Sequence, residues 1–118
     1  MSGEERRLIE AGYEREDLPI GVRYVKRCIS DDTGAGIIVT IYKYTKRWAE
    51  ITGTSSSTPW SVAVSVGVEI CFERGKTLDE AMMKAEDKVT SWIAALIHGL
   101  EKAQLMRNPI INFSSFEV

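Results

Sequence analysis

The run Thr58-Pro59-Trp60-Ser61-Val62-Ala63-Val64-Ser65-Val66-Gly67-Val68-Glu69-Ile70-Cys71-Phe72-Glu73-Arg74-Gly75-Lys76-Thr77 decides the fold of this chain. Val62, Val64, Val66, Val68, Ile70 and Phe72 share one parity, while Ser61, Ala63, Ser65, Gly67, Glu69, Cys71 and Glu73 hold the other. A strand points successive side chains to opposite faces, so the alternation predicts a strand over 60–73 with one face buried. A helix over 59–74 competes, because Thr58-Pro59 suits a helix start and Gly75 a helix end. Valines, serines and a glycine make poor helix, which favours the strand.

The same run ends in a second signal. Thr77-Leu78-Asp79-Glu80 is a capping box, in which Thr77 accepts the Glu80 amide and Glu80 reaches back to the Thr77 amide. Leu78, Met82, Ala85, Val89, Trp92, Leu96 and Leu100 then recur every three or four residues, with Ala81 and Ile93 alongside. That stripe predicts one long amphipathic helix over 77–106, stopped by Asn108-Pro109. Residues 109–118 are apolar and β-prone, and read as an extended tail.

Upstream, residues 4–16 read as a short, solvated helix, stopped by Leu18-Pro19, and the segment up to that stop carries six acidic and three basic side chains. The run from Ile20 to Ser30 is β-rich. Asp31-Asp32-Thr33-Gly34-Ala35-Gly36 is a turn signal. Residues 37–52 are again β-rich, either one long strand bent at Lys46-Arg47 or a hairpin. The expected fold is therefore α+β and two-layered. A helical arm spans 1–19, a three- or four-stranded antiparallel meander 20–73, a long C-terminal helix 77–106 and a tail 109–118.

Composition narrows the function. The chain has 118 residues, 44% of them hydrophobic, with a net charge of −2, which suits one globular domain rather than a disordered or wholly basic chain. No run approaches the ~18 apolar residues of a membrane span. The charged N-terminus lacks the apolar core of a signal peptide, so a cytoplasmic address is expected. Cys28 and Cys71, the only thiols, fall in predicted strands as small buried hydrophobes. His98, the only histidine, reads as a partly buried helix residue and rules out a two-histidine metal motif. Arg74-Gly75-Lys76-Thr77 suggests a phosphate loop, but such a loop needs glycine where Ile70 stands. Glu69 with Glu73, and Asp79, Glu80 and Asp87, have no cleft to separate their environments for acid–base work. Ser55, Ser56 and Ser57 lack a nucleophile-elbow context. No enzyme activity, cofactor or metal is expected.

Two signals remain. Arg23-Tyr24-Val25-Lys26-Arg27 and Lys43-Tyr44-Thr45-Lys46-Arg47-Trp48 interleave basic and aromatic residues, and residues 20–60 hold six basic against three acidic side chains. Rings stack on bases and cations neutralise phosphates, so Arg23, Tyr24, Lys26, Arg27, Lys43, Tyr44, Lys46, Arg47 and Trp48 are candidate nucleic-acid contacts. Separately, Trp92, Ile93 and Ile97 on the long helix, with Ile111, Phe113 and Phe116 in the tail, exceed what one small sheet covers. They are candidate oligomer contacts.

The order helix, three strands, helix resembles a double-stranded-RNA-binding domain, which would imply RNA as the partner. That family grips phosphates with lysines at the start of its last helix, where this sequence has Thr77, Leu78, Asp79 and Glu80 between Lys76 and Lys84. The passage Gly75–Ala81, with Ala85 and Val89, is similar to the strand-to-helix junction of HicB-like antitoxins, without their upstream proline-glycine-cysteine element. The leading expectation is a small non-enzymatic protein–protein binding module acting as a homo-oligomer, of the kind found among phage or mobile-element accessory proteins. Nucleic-acid binding through the basic strands and a role in phage virion assembly are the alternatives.

Overall fold

The computed structural model describes residues 2–32, 34, 36–52 and 58–104. Helix α1 (Gly3–Glu10) starts where the Ser2 side chain accepts the Glu5 N–H at 3.2 Å. Strands β1 (Glu14–Leu18), β2 (Gly21–Ile29) and β3 (Gly36–Tyr44) follow. A short helix α2 (Lys46–Thr52) separates them from β4 (Trp60–Val66), β5 (Val68–Gly75) and the long helix α3 (Leu78–Lys102). The five strands form one antiparallel sheet in chain order. The α+β class with a short N-terminal and a long C-terminal helix is as expected, but the strand count exceeds three or four.

The extra strands come from two places where periodicity misleads. The run 60–73 is β-structure, not helix, yet it is two strands: Gly67 at φ +75° turns the chain between Val66 and Val68. A left-handed residue is what a tight hairpin asks for, and glycine adopts it without strain. The turn leaves Val68 opposite Val66, and it is the irregularity in the ladder, where Ser65 faces Glu69 but Val64 faces Cys71, that inverts the parity beyond Ile70. Val62 and Val64 are buried, but Val68 is 70% and Phe72 46% exposed, while Cys71 takes the core position. The second extra strand, β1, lies in the segment expected to be helical. Its residues Glu14-Arg15-Glu16-Asp17-Leu18 are nearly all exposed, so no hydrophobic alternation announces it; the ladder to β2 holds it, and its charges suit a sheet edge.

Residues 46–52 are helix rather than strand or hairpin. Thr45 Oγ1 accepts the Trp48 N–H at 3.1 Å, and Lys46, Arg47, Ala49 and Glu50 are good helix formers. At α3, Thr77 Oγ1 accepts the Glu80 N–H at 3.1 Å as expected, while the Glu80 carboxylate takes the Lys76 N–H at 3.3 Å instead of that of Thr77. Glu4 of α1 accepts the Leu78 N–H at 3.0 Å, joining the two helix starts. The helix ends at Lys102, short of 106, because Gln104 adopts φ +57°. Residues 109–118 lie outside the described residues.

The sheet register stacks Tyr24, Ile41 and Val62 in one row and Val64 with Cys71 in the next. With Leu8, Trp60, Leu78, Ala81 and Ala85 they form the core between the sheet and helices α1 and α3. Gly75 permits the tightest junction there: a β-carbon at this position would sit 2.5 Å from the Ala81 amide nitrogen. Two expectations fail at single residues. Cys28 is exposed, unlike Cys71, and His98 lies on the exposed side of α3.

Candidate functional site

The structure divides the nine candidate nucleic-acid contacts among three places. Period two puts Tyr24, Lys26 and Lys43 on the core side of the sheet. Tyr24 is fully buried. Lys43 Nζ donates to Glu5 Oε1 at 3.2 Å and lies 5.2 Å from the Trp60 ring centre. Lys26 Nζ donates to the Ala11 carbonyl at 2.6 Å and lies over Tyr13. These cations fasten the α1 region to the sheet. Burial opposes ionisation of Glu5, but hydrogen bonding from Tyr24 and Lys43 and the charges of Lys43 and Arg15 hold its carboxyl below the ordinary range. The Tyr24 hydroxyl is buried with no partner at full hydrogen-bonding geometry. Burial first, then the nearby Glu5 carboxylate, push it up to about 12. Lys46 and Arg47 are exposed on α2, and Trp48 is half-buried there.

Arg23, Arg27 and Tyr44 remain together on the sheet face opposite α3. Sequence reading missed their neighbours on this face. Tyr42 stacks on Tyr44 with ring centres 5.8 Å apart and planes 5° from parallel. Arg74 lies over the same Tyr44 ring at 5.0 Å and donates to the Thr58 carbonyl from Nε at 3.2 Å and Nη2 at 2.7 Å. The Tyr44 hydroxyl accepts from Ser61 Oγ at 3.2 Å. Tyr42 and Tyr44 share strand parity, a signal available in the sequence; Arg74 joins them only through the β4–β5 register. Beyond Tyr42 the face opens into a concavity of about 390 Å³, bordered by Arg23, Arg27, Val25, Ile38 and Thr40 and by Glu14, Arg15 and Glu16 of the edge strand.

The core side carries a second surface. Helix α3 packs mainly on β5 and β4, which leaves Ile37 and Val39 of β3 facing it across a gap. That gap is an apolar groove of about 290 Å³ lined by Tyr13, Ile37, Val39, Val64, Met82 and Val89. It continues past Ile37 and Val89 to Val66, Ile70, Trp92 and Ile93 at one end, and past Tyr13 and Met82 to Leu8 and Met83 at the other. Of the candidate oligomer contacts, Trp92 is 37% exposed and Ile93 half-buried on the groove wall, while Ile97 is buried. Ile111, Phe113 and Phe116 lie outside the described residues.

Among the described residues no three His, Cys, Asp or Glu side chains gather as a metal site, and no helix is long and apolar enough to cross a membrane. No family model matches the chain, nor does any curated protein or solved structure.

Proposed function

We propose that this chain is a non-enzymatic protein-binding module that works as a homo-oligomer, its groove beside α3 taking residues 109–118 of a second copy. The observation that carries the proposal is the groove itself. Tyr13, Ile37, Val39, Val89, Trp92 and Ile93 line a continuous apolar channel that α3 leaves uncovered. Contiguous apolar surface of this kind is costly in water and is characteristic of association sites.

The chain after Gln104 has the length and the chemistry of the occupant. Residues 105–118 span up to ~46 Å when extended at ~3.3 Å each, whereas Met82 to Ile93 covers only ~16 Å of helix. Ile110, Ile111, Phe113, Phe116 and Val118 supply apolar side chains worth ~1.5–3 kcal/mol each on full burial. Gln104 at φ +57° marks the end of α3 just past Lys102.

Sedimentation velocity tests this. The full chain should sediment above its monomer mass of 13.2 kDa, and both deletion of 109–118 and Trp92→Glu should lower the assembly while circular dichroism stays unchanged. A full chain that is monomeric at every concentration, as docking of the segment within one molecule would make it, overturns the proposal. So does a deletion that keeps the full assembly size.

A further inference from the structure

We infer that the sheet face opposite α3 carries a nucleobase-stacking site at Tyr42, with Arg27 and Arg23 as its phosphate contacts. The site is separate from the apolar groove, because Tyr42 belongs to the other parity of β3 from Ile37 and Val39.

Arg74, Tyr44 and Tyr42 form a stack in that order. The guanidinium covers one ring, the two rings are parallel, and the Arg74 guanidinium is held to the Thr58 carbonyl by two of its nitrogens. A stack fixed at one end presents a ring with little freedom left to lose on binding, which favours addition of another planar group. Tyr42 ends the stack and borders the concavity of about 390 Å³, whereas Tyr44 does not line it. The register places Arg23 opposite Tyr42, Val25 opposite Thr40 and Arg27 opposite Ile38. The concavity thus has a ring at one end, a small apolar and hydroxyl floor, and guanidinium groups along one side.

The two arginines have unspent capacity. Arg27 is exposed and forms no ion pair among the described residues. Arg23 pairs with Glu16 through Nη2, yet about a third of its side chain is exposed at the concavity. Guanidinium groups hold phosphate oxygens, and aromatic faces take bases of any sequence. The chemistry recognised is therefore a base with its phosphate, supplied by a single strand or by a free nucleotide. Glu14 and Glu16 on the rim offset part of the arginine charge, so the attraction is weak, and because salt screens the arginine–phosphate contacts it is strongest at low salt.

The test is fluorescence anisotropy of the full chain with a labelled 12-nucleotide mixed-sequence DNA single strand at ~20 mM salt, repeated with adenosine monophosphate as competitor. Tyr42→Leu keeps a strand-compatible apolar residue and should weaken binding about 5- to 150-fold, the range of one lost stacked base. Arg27→Gln should flatten the slope of log affinity against log salt by ~0.7, one phosphate on a single strand. Lys88→Gln, on exposed α3, should change neither by as much. Thermal melts of the variants check that the fold is kept. Competition by adenosine monophosphate identifies a mononucleotide pocket, and its failure a requirement for a strand; each supports the site provided Tyr42→Leu weakens binding. No binding of either probe at low salt, or binding that Tyr42→Leu leaves unchanged, overturns the inference.

Discussion

Raising the pH through the tyrosine range should destabilise the wild-type chain more than Tyr24→Phe. The Tyr24 side chain is fully buried, and burial followed by the Glu5 carboxylate pushes its hydroxyl up to about 12. An unfolded tyrosine ionises near ~10, so the folded state keeps its phenol neutral over a window in which the unfolded chain has lost the proton. A pKa raised on folding contributes stability that is complete below the unfolded value and lost as pH climbs towards the folded one. Two units at ~1.36 kcal/mol each give ~2.7 kcal/mol in total, of which ~2 kcal/mol is gone by pH ~11.5. Urea unfolding of both proteins from pH 8 to 11.5 isolates this residue, because every other side chain is common to the two. The stability difference between the two proteins should shift by ~2 kcal/mol against the wild type across that range. At neutral pH the variant should differ by no more than ~1 kcal/mol, since the lost hydroxyl lacks a well-formed hydrogen bond. Parallel loss of stability in both proteins would refute the placement. Tyr24 would then be exposed, and free to serve as a stacking residue as the sequence alone suggests.

The β4–β5 hairpin gives further tests by chemical denaturation. Val64→Asp puts a charge in the core and should unfold the chain, whereas Ser65→Asp on the opposite face should cost ~1 kcal/mol or less; equal damage would deny the strand. Beyond the ladder irregularity at Ile70 the sides exchange, so Cys71→Asp should be severe and Phe72→Asp mild; the reverse result would deny that irregularity. Gly67→Ala meets nothing within 4 Å and should cost only the ~1–2 kcal/mol of a left-handed alanine, but Gly75→Ala drives a β-carbon into the Ala81 backbone and should cost more; melting temperatures that rank them the other way would refute this junction.

How much of this was legible depends on which force fixes each element. Helix α3 was legible because both its cap and its stripe are local, and the Thr77 hydroxyl meets the Glu80 amide as the residue types require. Val62 and Val64 were legible because burial and alternation agree there. Strand β1 was not, because backbone pairing with β2 forms it while its side chains stay in water. The hairpin at Gly67 was hidden by its own economy: a turn so short interrupts the alternation at one small residue, and valines continue on both sides. The candidate site suffered the same loss. Adjacent basic and aromatic residues look like one cluster in sequence, yet Arg23 and Tyr24 are neighbours that face opposite sides of the sheet.

That opposition decides how the two proposed surfaces can interact. Strand β3 serves both, presenting Ile37 and Val39 to the apolar groove and Ile38, Thr40 and Tyr42 to the concavity on the far side. Side-chain changes on one parity touch none of the lining on the other, so the effects of Trp92→Glu on assembly and Tyr42→Leu on nucleotide binding should add without coupling. A change in β3 register is different in kind. A slip of one residue would exchange the two sets, placing Ile38, Thr40 and Tyr42 against α3 and turning Ile37 and Val39 outward. Burial of Ile41 between Tyr24 and Val62 makes that slip expensive, so the core is also what keeps the two surfaces chemically distinct.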